Sequence, residues 1–277
     1  MSALRCQTKY PILLLHGMGF HDRLPIHYYW GRIPRVLRKN GASVWFGDQD
    51  GNATTMSNAR YLVRVIRRIL EETGAEKINI IAHSKGGLEA RYLVSSMGMG
   101  DVVASVTTIS TPHNGSVTVD TLLRKFPTII RIGSAVTDLG RRCLGDRNPH
   151  TYWAICQFTT DYMHRFNKRN PDDPRVFYQS YAFVMKSPLS DPVMAIPNMI
   201  VRSFEGENDG LLTPRNAKWT NFRGVYTGPT GRGISHPDET DYRQYRFTKQ
   251  KPAREHEISD MAEFYLRIAE DLKRRGF

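Results

Sequence analysis

The sequence has few cysteines. Cys6, Cys143 and Cys156 are spread over 277 residues, and their odd number and wide spacing argue against a disulfide framework or a cysteine metal site. No apolar run approaches the roughly 20 residues that cross a membrane. The N-terminal residues also lack the apolar core and cleavage site of a signal peptide. Either the protein stays inside the cell or a leader has been removed, and both interpretations stay open.

Acidic residues are also in short supply. The chain has 39 basic and 27 acidic residues, a net charge of +12, which predicts attraction to anionic surfaces. Aromatic residues do not interleave with the basic ones and no recognition module accompanies them, so nucleic acid is not an expected partner. The alternative interpretation is a solvated surface without a binding role. A hydrophobic content of 40% excludes wholesale disorder.

Apolar strand-like runs alternate with helical patterns in the first part of the chain. The predicted strands are "YPILLLHG", "ASVWFGD", "KINIIA" and "VVASVTTIS". The segment "SNARYLVRVIRRILEETG" has apolar residues at helical spacing and a glycine stop at Gly74. This alternation predicts an α/β fold, with a mostly parallel central sheet flanked by helices. There is no internal repeat or long linker, so we expect one domain over 1–277.

The alternation stops after residue 115. Residues 118–170 contain helical patterns without a convincing strand, which predicts a helical insertion over the C-terminal edge of the sheet. Strands are predicted to resume at "RVFYQSYAF", "NMIVRSF" and "FRGVYTG", and "SDMAEFYLRIAEDLKRR" closes the chain as an amphipathic helix.

The stretch "AHSKG" places a serine, Ser84, between a predicted strand and a predicted helix. It fits the small-x-Ser-x-Gly pattern of a nucleophile elbow, in which the serine sits on a sharp, strained turn. Ala82 and Gly86 occupy the positions that must be small. The alternative is a serine that caps an ordinary helix.

A serine hydroxyl needs a base to become a nucleophile, and the base needs an acid to orient it. His236, in "GISHPDETD", lies in a loop after the last predicted strand and follows the serine in the expected order of serine, acid and histidine. Asp209, in "ENDGLLTP", is the candidate acid, 27 residues before His236. Glu205 and Glu207 are nearby alternatives, and an Asp-Gly turn is also common without any catalytic role.

The oxyanion of an acyl-transfer reaction needs two preorganised N–H donors. The backbone N–H of Lys85, directly after the serine, is the first candidate. The second is the backbone N–H of Met18, in the "HGMGF" loop after the first strand. The Lys85 ammonium is expected to be solvated or ion-paired and not catalytic.

With these residues in place, the sequence resembles the bacterial family I triacylglycerol lipases of the α/β-hydrolase fold, above all their Gram-positive thermostable branch and related clostridial enzymes. The similar stretches include "YPILLLHGMG", "HYYWG", "INIIAHSKGGLEARYLV", "TTISTPHNGS", "ENDGLL" and "GISHPD". The resemblance implies a triad of Ser84, Asp209 and His236, with Met18 and Lys85 as oxyanion donors. It also implies that the 118–170 insertion is a helical lid over an apolar acyl pocket.

Helical spacing selects four apolar residues of the insertion as candidate acyl contacts. They are Leu122, Phe126, Ile129 and Ile130. The alternative is that this face packs on the sheet.

The resemblance has two consequences for metals. Such lipases often carry a structural calcium with an acid two residues past the histidine, and Asp238 has that position, although the other ligands are not evident. The zinc-binding insertion of the thermostable branch is not matched. The chemistry itself requires no cofactor.

The leading hypothesis is a serine carboxylic ester hydrolase that cleaves acylglycerols or other apolar esters through an acyl-enzyme. Some relatives also hydrolyse synthetic polyesters. A thioesterase or amidase would share the mechanism. A non-catalytic cationic binder of lipid surfaces is a different class, and three matched catalytic groups argue against it.

Overall fold

The computed structural model describes residues 4–22, 29–249 and 252–277. Six parallel strands form one sheet in the order β2-β1-β3-β4-β5-β6. The strands are β1 Ile12–Leu15, β2 Val44–Phe46, β3 Ile78–His83, β4 Val103–Ile109, β5 Phe177–Phe183 and β6 Phe222–Tyr226. The prediction of a parallel sheet flanked by helices is confirmed.

Helices connect the strands on both faces of the sheet. They are α1 Ile33–Lys39, α2 Thr55–Thr73, α3 Lys85–Ser95, α4 Val117–Lys125, α5 Pro127–Cys143, α6 Thr151–Cys156, α7 Thr160–Arg169, α8 Ala195–Glu205, α9 Pro214–Ala217 and α10 Met261–Arg274. The predicted glycine stop holds, because Gly74 ends α2 in the left-handed conformation that glycine adopts without strain. No helix in the described ranges is long and apolar enough to cross a membrane.

The hydrophobic core has two layers because side chains alternate across each strand. Ile12 and Leu14 of β1 pack into the layer beneath α1 and α10. Leu13 and Leu15 pack into the opposite layer, beneath α2 and α3. The sheet is therefore buried on both faces, as its continuous apolar strands require.

Two predicted elements differ in the structure. The predicted strand "NMIVRSF" is part of the helix α8, because its apolar side chains continue a helical spacing that begins at Ile196. Asp209 therefore follows a helix and not a strand. The segment "IHYYWGRIPRVLRKNG", residues 26–41, has a helical pattern of apolar residues, but the helix covers only Ile33–Lys39, and residues 26–28 lie outside the described ranges.

Residues 117–169 form four successive helices, α4 to α7, between β4 and β5. The helical content of the predicted insertion is thus observed. The three cysteines are free thiols, and Cys143 is the exposed one.

Candidate active site

Ser84 occupies a strained turn between β3 and α3. Its backbone has φ 55° and ψ −128°, a region that residues with a Cβ rarely adopt. The Ser84 N–H donates to Ile109 O at 2.9 Å, and the Thr111 hydroxyl donates to Ser84 O at 2.8 Å. These contacts to β4 and its following loop hold the turn in place.

The glycine of the elbow pattern has a direct steric reason. A Cβ at Gly86 would lie 2.6 Å from the carbonyl oxygen of Leu15 and 2.7 Å from that of His16. The end of β1 therefore approaches α3 so closely that only glycine fits. Gly17, in the loop after β1, is equally constrained, because a Cβ there would lie 2.9 Å from Ser84 Cβ.

His236 and Asp209 form a buried hydrogen-bonded pair. The distance from His236 Nδ1 to Asp209 Oδ2 is 2.8 Å, and the His236 N–H also donates to Asp209 O at 2.8 Å. Asp209 Oδ1 accepts from the N–H groups of Leu211 and Leu212, each at 2.8 Å. Burial acts to raise the pKa of Asp209, but His236 and these N–H groups together lower it. Asp209 is therefore a carboxylate, and its bond to Nδ1 leaves His236 Nε2 free to act as a base.

Ser84 and His236 line the same cavity, which has a volume of about 460 Å³. Most of its wall is apolar, and side chains from several segments contribute to it. The apolar lining residues are Met18, Phe20, Val119, Ile155, Phe158, Val193, Met194, Leu211 and Leu212. A nucleophile, a base and an apolar binding space thus lie together.

Residues 10–131 match the alpha/beta hydrolase fold family. The chain is 30% identical to Triacylglycerol lipase 2 of Saccharomyces cerevisiae over 266 residues, which cover 90% of this chain and 74% of the yeast protein. The chain belongs to the α/β-hydrolase lipase family. It is an enzyme, a hydrolase of the lipase or esterase type.

Two further comparisons agree with this assignment. A triacylglycerol lipase of Pseudomonas fragi is 35% identical over 119 residues, which cover 43% of this chain and only 40% of that lipase. The crystal structure of Bacillus licheniformis lipase BlEst2 in mature form has a TM-score of 0.64 at 21% identity, covering 83% of this chain and 86% of that one. This last likeness concerns the fold.

The loop after β1 supplies one candidate oxyanion donor of the enzyme. The N–H of Gly17 donates to the Tyr29 hydroxyl at 2.8 Å, and the N–H of Gly19 donates to Gly51 O at 3.2 Å. Met18 lies between them, lines the cavity beside Ser84 and remains the candidate. Lys85 is the first residue of α3, where backbone N–H groups have no partner within the helix.

The Lys85 side chain has a structural place in the fold. It is 1% exposed and forms an ion pair with Glu89, one turn further along α3. The same Glu89 oxygen accepts a hydrogen bond from Asn58 of α2 at 2.7 Å. The lysine is therefore ion-paired and not solvated, and its pair joins the elbow helix to α2.

The four residues predicted to contact an acyl chain do not line this cavity. Ile129 is 70% exposed and Phe126 is 47% exposed, while Leu122 and Ile130 are partly buried elsewhere. Val119, Ile155 and Phe158 line the cavity instead. Periodicity identifies the apolar face of a helix, but it does not say whether that face turns toward the cavity or toward solvent.

A polar network next to Ser84 and His236 was not predicted from the sequence. His83 hydrogen-bonds through Nδ1 to the Tyr29 hydroxyl and through Nε2 to Glu239 Oε2 at 3.1 Å. Its ring lies 4.4 Å from that of His236, and Glu239 Oε1 is 3.9 Å from His236 Nδ1. The network joins the end of β3, directly before the serine, to the turn after His236. The acidic residue Glu239, three positions after His236, is the feature of the sequence that could have indicated this network.

Burial shifts the pKa values of both ionisable ends of this network toward their neutral forms. The pKa of His83 lies well below its usual range, chiefly because the residue is buried and secondly because of the charge of His236. The pKa of Glu239 lies well above its usual range, chiefly because the residue is buried and secondly because of the nearby Asp209 carboxylate. The pKa values of the two buried acids, Asp209 and Glu239, are therefore shifted in opposite directions.

Replacing Glu239 with glutamine should make the enzyme relatively more stable as the pH rises. A carboxyl whose pKa is raised by folding contributes stability below its unfolded-state pKa, and that stability is lost as the pH rises toward the folded-state pKa. Glutamine has no proton to lose. Melting temperatures measured between pH 5 and pH 8.5 should therefore diverge in favour of the variant. A constant difference across this range would mean that Glu239 is ionised in the folded enzyme.

His83, His236 and Glu239 are also the group of three residues, within the described part of the chain, whose ligand atoms lie close enough for a metal. These atoms fall within 4.8 Å of one another. Hydrogen bonds to Tyr29 and Asp209 already use both Nδ1 atoms. The cluster is therefore explained as a hydrogen-bonded network.

Proposed function

We propose that Ser84, His236 and Asp209 form a catalytic triad that hydrolyses apolar carboxylic esters. His236 Nε2 takes the Ser84 proton as Oγ attacks the ester carbonyl, and it returns the proton to the departing alcohol. Water then attacks the acyl-serine with His236 again as the base. Asp209 stabilises the imidazolium, and the Met18 and Lys85 N–H groups stabilise the oxyanion. The 2.8 Å bond between His236 and Asp209, beside a serine on a strained elbow, carries this proposal.

The substrate class follows from the cavity and the relatives. An apolar wall favours acyl chains, because each buried CH₂ group contributes about 0.8 kcal/mol to binding. The yeast and Pseudomonas relatives are named triacylglycerol lipases. We infer that acylglycerols with medium or long acyl chains are the preferred esters. The resemblance to the Gram-positive branch of family I remains a proposal, supported by the sequence stretches that carry it.

Phe158→Ala should raise KM for long-chain esters more than for short-chain esters. The substitution removes part of the apolar lining of the cavity, with which a long acyl chain would make more contacts than a short one, so we expect about a tenfold change in the KM ratio of p-nitrophenyl palmitate to butyrate. Ile129→Ala is the comparison, because Ile129 is exposed outside the cavity. If Ile129→Ala changes the ratio and Phe158→Ala does not, the acyl chain binds along α5.

The same assay separates the alternative functions. An esterase acting on short chains would hydrolyse butyrate far faster than palmitate. A thioesterase or amidase would prefer the matching thioester or anilide of the same acyl chain. A non-catalytic binder would hydrolyse none of these compounds, and that result would contradict the proposed triad.

We also propose that 118–170 acts as a lid at a lipid surface. Helix α5 turns an apolar stripe toward solvent, at spacings of three and four residues. Its members are 63–70% exposed, and they are Ile129, Ile132, Val136 and Leu139. An exposed apolar stripe of this kind suits an amphipathic helix that lies in a lipid interface. The net charge of +12 would add attraction to anionic lipids.

The double variant Ile132→Ser/Val136→Ser should bind lipid vesicles at least tenfold more weakly, because it removes two aliphatic side chains from the interface. Sedimentation with zwitterionic and anionic vesicles would measure this, in a Ser84→Ala background that prevents hydrolysis. The control is Leu4→Ser, which removes an exposed apolar side chain outside the insertion. Binding to anionic vesicles should also weaken with salt. Equal losses in both variants would place the lipid contact elsewhere.

A further inference from the structure

Two buried aspartates flank the loop that carries His236. Asp191 lies between β5 and α8, and Asp238 lies two residues after His236; each is 1% exposed. Asp191 Oδ2 accepts a hydrogen bond from the Ser235 hydroxyl at 2.6 Å, so it contacts the residue directly before His236. Two carboxylates out of contact with water need positive charge close by.

Two arginines supply this charge. Arg243 bridges the aspartates, with Nη2 2.7 Å from Asp191 Oδ1 and Nη1 3.4 Å from Asp238 Oδ1. Arg232 Nη2 lies 2.7 Å from Asp238 Oδ2 and donates a hydrogen bond to it. The cluster of Asp191, Asp238, Arg232 and Arg243 thus balances two negative charges with two positive ones. Hereafter it is called the arginine clasp.

The arginine clasp does not fit the calcium ion that the resemblance implies at Asp238. Calcium takes six to eight oxygen ligands at about 2.3–2.6 Å. Here guanidinium groups face three of the four carboxylate oxygens, and Ser235 donates to the fourth. Asp238 Oδ1 has no hydrogen bond from the described residues. One carboxylate oxygen next to two guanidinium groups does not make a site for a divalent cation, because the guanidinium charges would repel the cation.

We propose that Arg243, together with Arg232, replaces calcium as the group that fixes the His236 loop. Through Asp191 and Asp238 the clasp holds both sides of the base, since Ser235 precedes His236 and Asp238 follows it. Arg243 is thus a positioning residue, and the enzyme needs no divalent cation for stability or activity. The planar guanidinium suits this place, because it reaches two carboxylates at once.

The first test uses the wild-type enzyme after treatment with EDTA. We expect no heat of Ca²⁺ binding in isothermal titration calorimetry, and the same melting temperature in EDTA and in millimolar Ca²⁺. Binding of one Ca²⁺ per chain with a raised melting temperature would overturn the proposal. This outcome would leave the proposed triad unaffected, because that is tested with Ser84 and His236.

The second test compares Arg243→Ala with Arg267→Ala, which breaks an exposed helical ion pair with Glu263. Arg243→Ala should lower the melting temperature by roughly 10 °C, since it leaves buried charge uncompensated. It should also lower kcat for p-nitrophenyl butyrate at least tenfold through misplacement of His236. Arg267→Ala should change neither value appreciably. Identical behaviour of the two variants would overturn the proposal.

Rescue separates positioning from folding. Guanidinium ions at about 20 mM should restore part of the kcat of Arg243→Ala, whereas sodium chloride at the same concentration should not. Arg243→Lys keeps the positive charge but lacks the planar guanidinium with its two N–H donors. Its kcat should therefore fall between that of Arg243→Ala and that of the wild type. If Arg243→Ala does not fold, the lysine variant decides: a wild-type kcat and melting temperature for Arg243→Lys would overturn the requirement for a bridging guanidinium.

Discussion

Replacing Ser84 with alanine should lower kcat for p-nitrophenyl butyrate by about a million-fold. The hydroxyl faces the cavity at the end of a strained turn, so its loss removes the nucleophile without removing a core contact. The free energy of unfolding should change by less than about 1 kcal/mol, which urea denaturation would measure.

Ser110→Ala is a matched control for this variant. Like Ser84, Ser110 has a positive φ, 41°, directly after a strand of the sheet, but Ser110 is buried and does not line the cavity. We expect Ser110→Ala to keep most of its activity.

Intact mass spectrometry after exposure to a phosphonate ester gives an independent measurement of the nucleophile. A covalent adduct on Ser84→Ala would place the nucleophile at another residue.

His236→Ala should cost about as much in kcat as Ser84→Ala, because the triad acts as a unit. Asp209→Asn should cost about ten-thousand-fold, since an amide can hold the imidazole in the wrong tautomer and cannot stabilise its charge. Steady-state kinetics with a soluble short-chain ester would measure both losses without interference from lipid binding.

Two glutamates near Asp209 test the choice of acid. Glu205 accepts hydrogen bonds from Ser116, Thr118 and Asn216, which explains it as a contact between α8 and its neighbours. Glu207 is exposed. Glu207→Gln should therefore be nearly as active as the wild type. A larger loss of kcat in Glu205→Gln or Glu207→Gln than in Asp209→Asn would mean that the acid is misassigned.

Local sequence patterns predicted the features that depend mainly on residues close together in the chain. The elbow could be predicted because its strand, sharp turn and helix lie within ten residues and leave a recognisable pattern of small residues. The contact that requires glycine at position 86, the end of β1, is visible only in the structure. The parallel sheet followed from apolar runs separated by helical spacing. The order of serine, acid and histidine, together with the loop positions of Asp209 and His236, made these two the preferred candidates, although Glu205 and Glu207 fit the same order.

Only the tertiary structure decided which face of each element meets which partner. The run "NMIVRSF" suits a strand or a helix until its packing is known, and it belongs to α8. The stripe of α5 is apolar in either orientation, yet it faces solvent, while Val119 and Phe158 line the cavity.

Buried charge pairs were equally beyond the sequence when their members come from distant segments. Arg243 lies 52 positions from Asp191, so no spacing rule joins them. The position of Asp238 suggested a calcium ligand, whereas in the structure its carboxylate faces guanidinium groups. The hydrogen bond between His83 and Glu239 likewise joins residues that are 156 positions apart. The sequence by itself determined the elbow turn, the six strands of the sheet and most helices, because those depend on local turn geometry and periodicity. The surroundings of the reactive groups were decided by long-range packing.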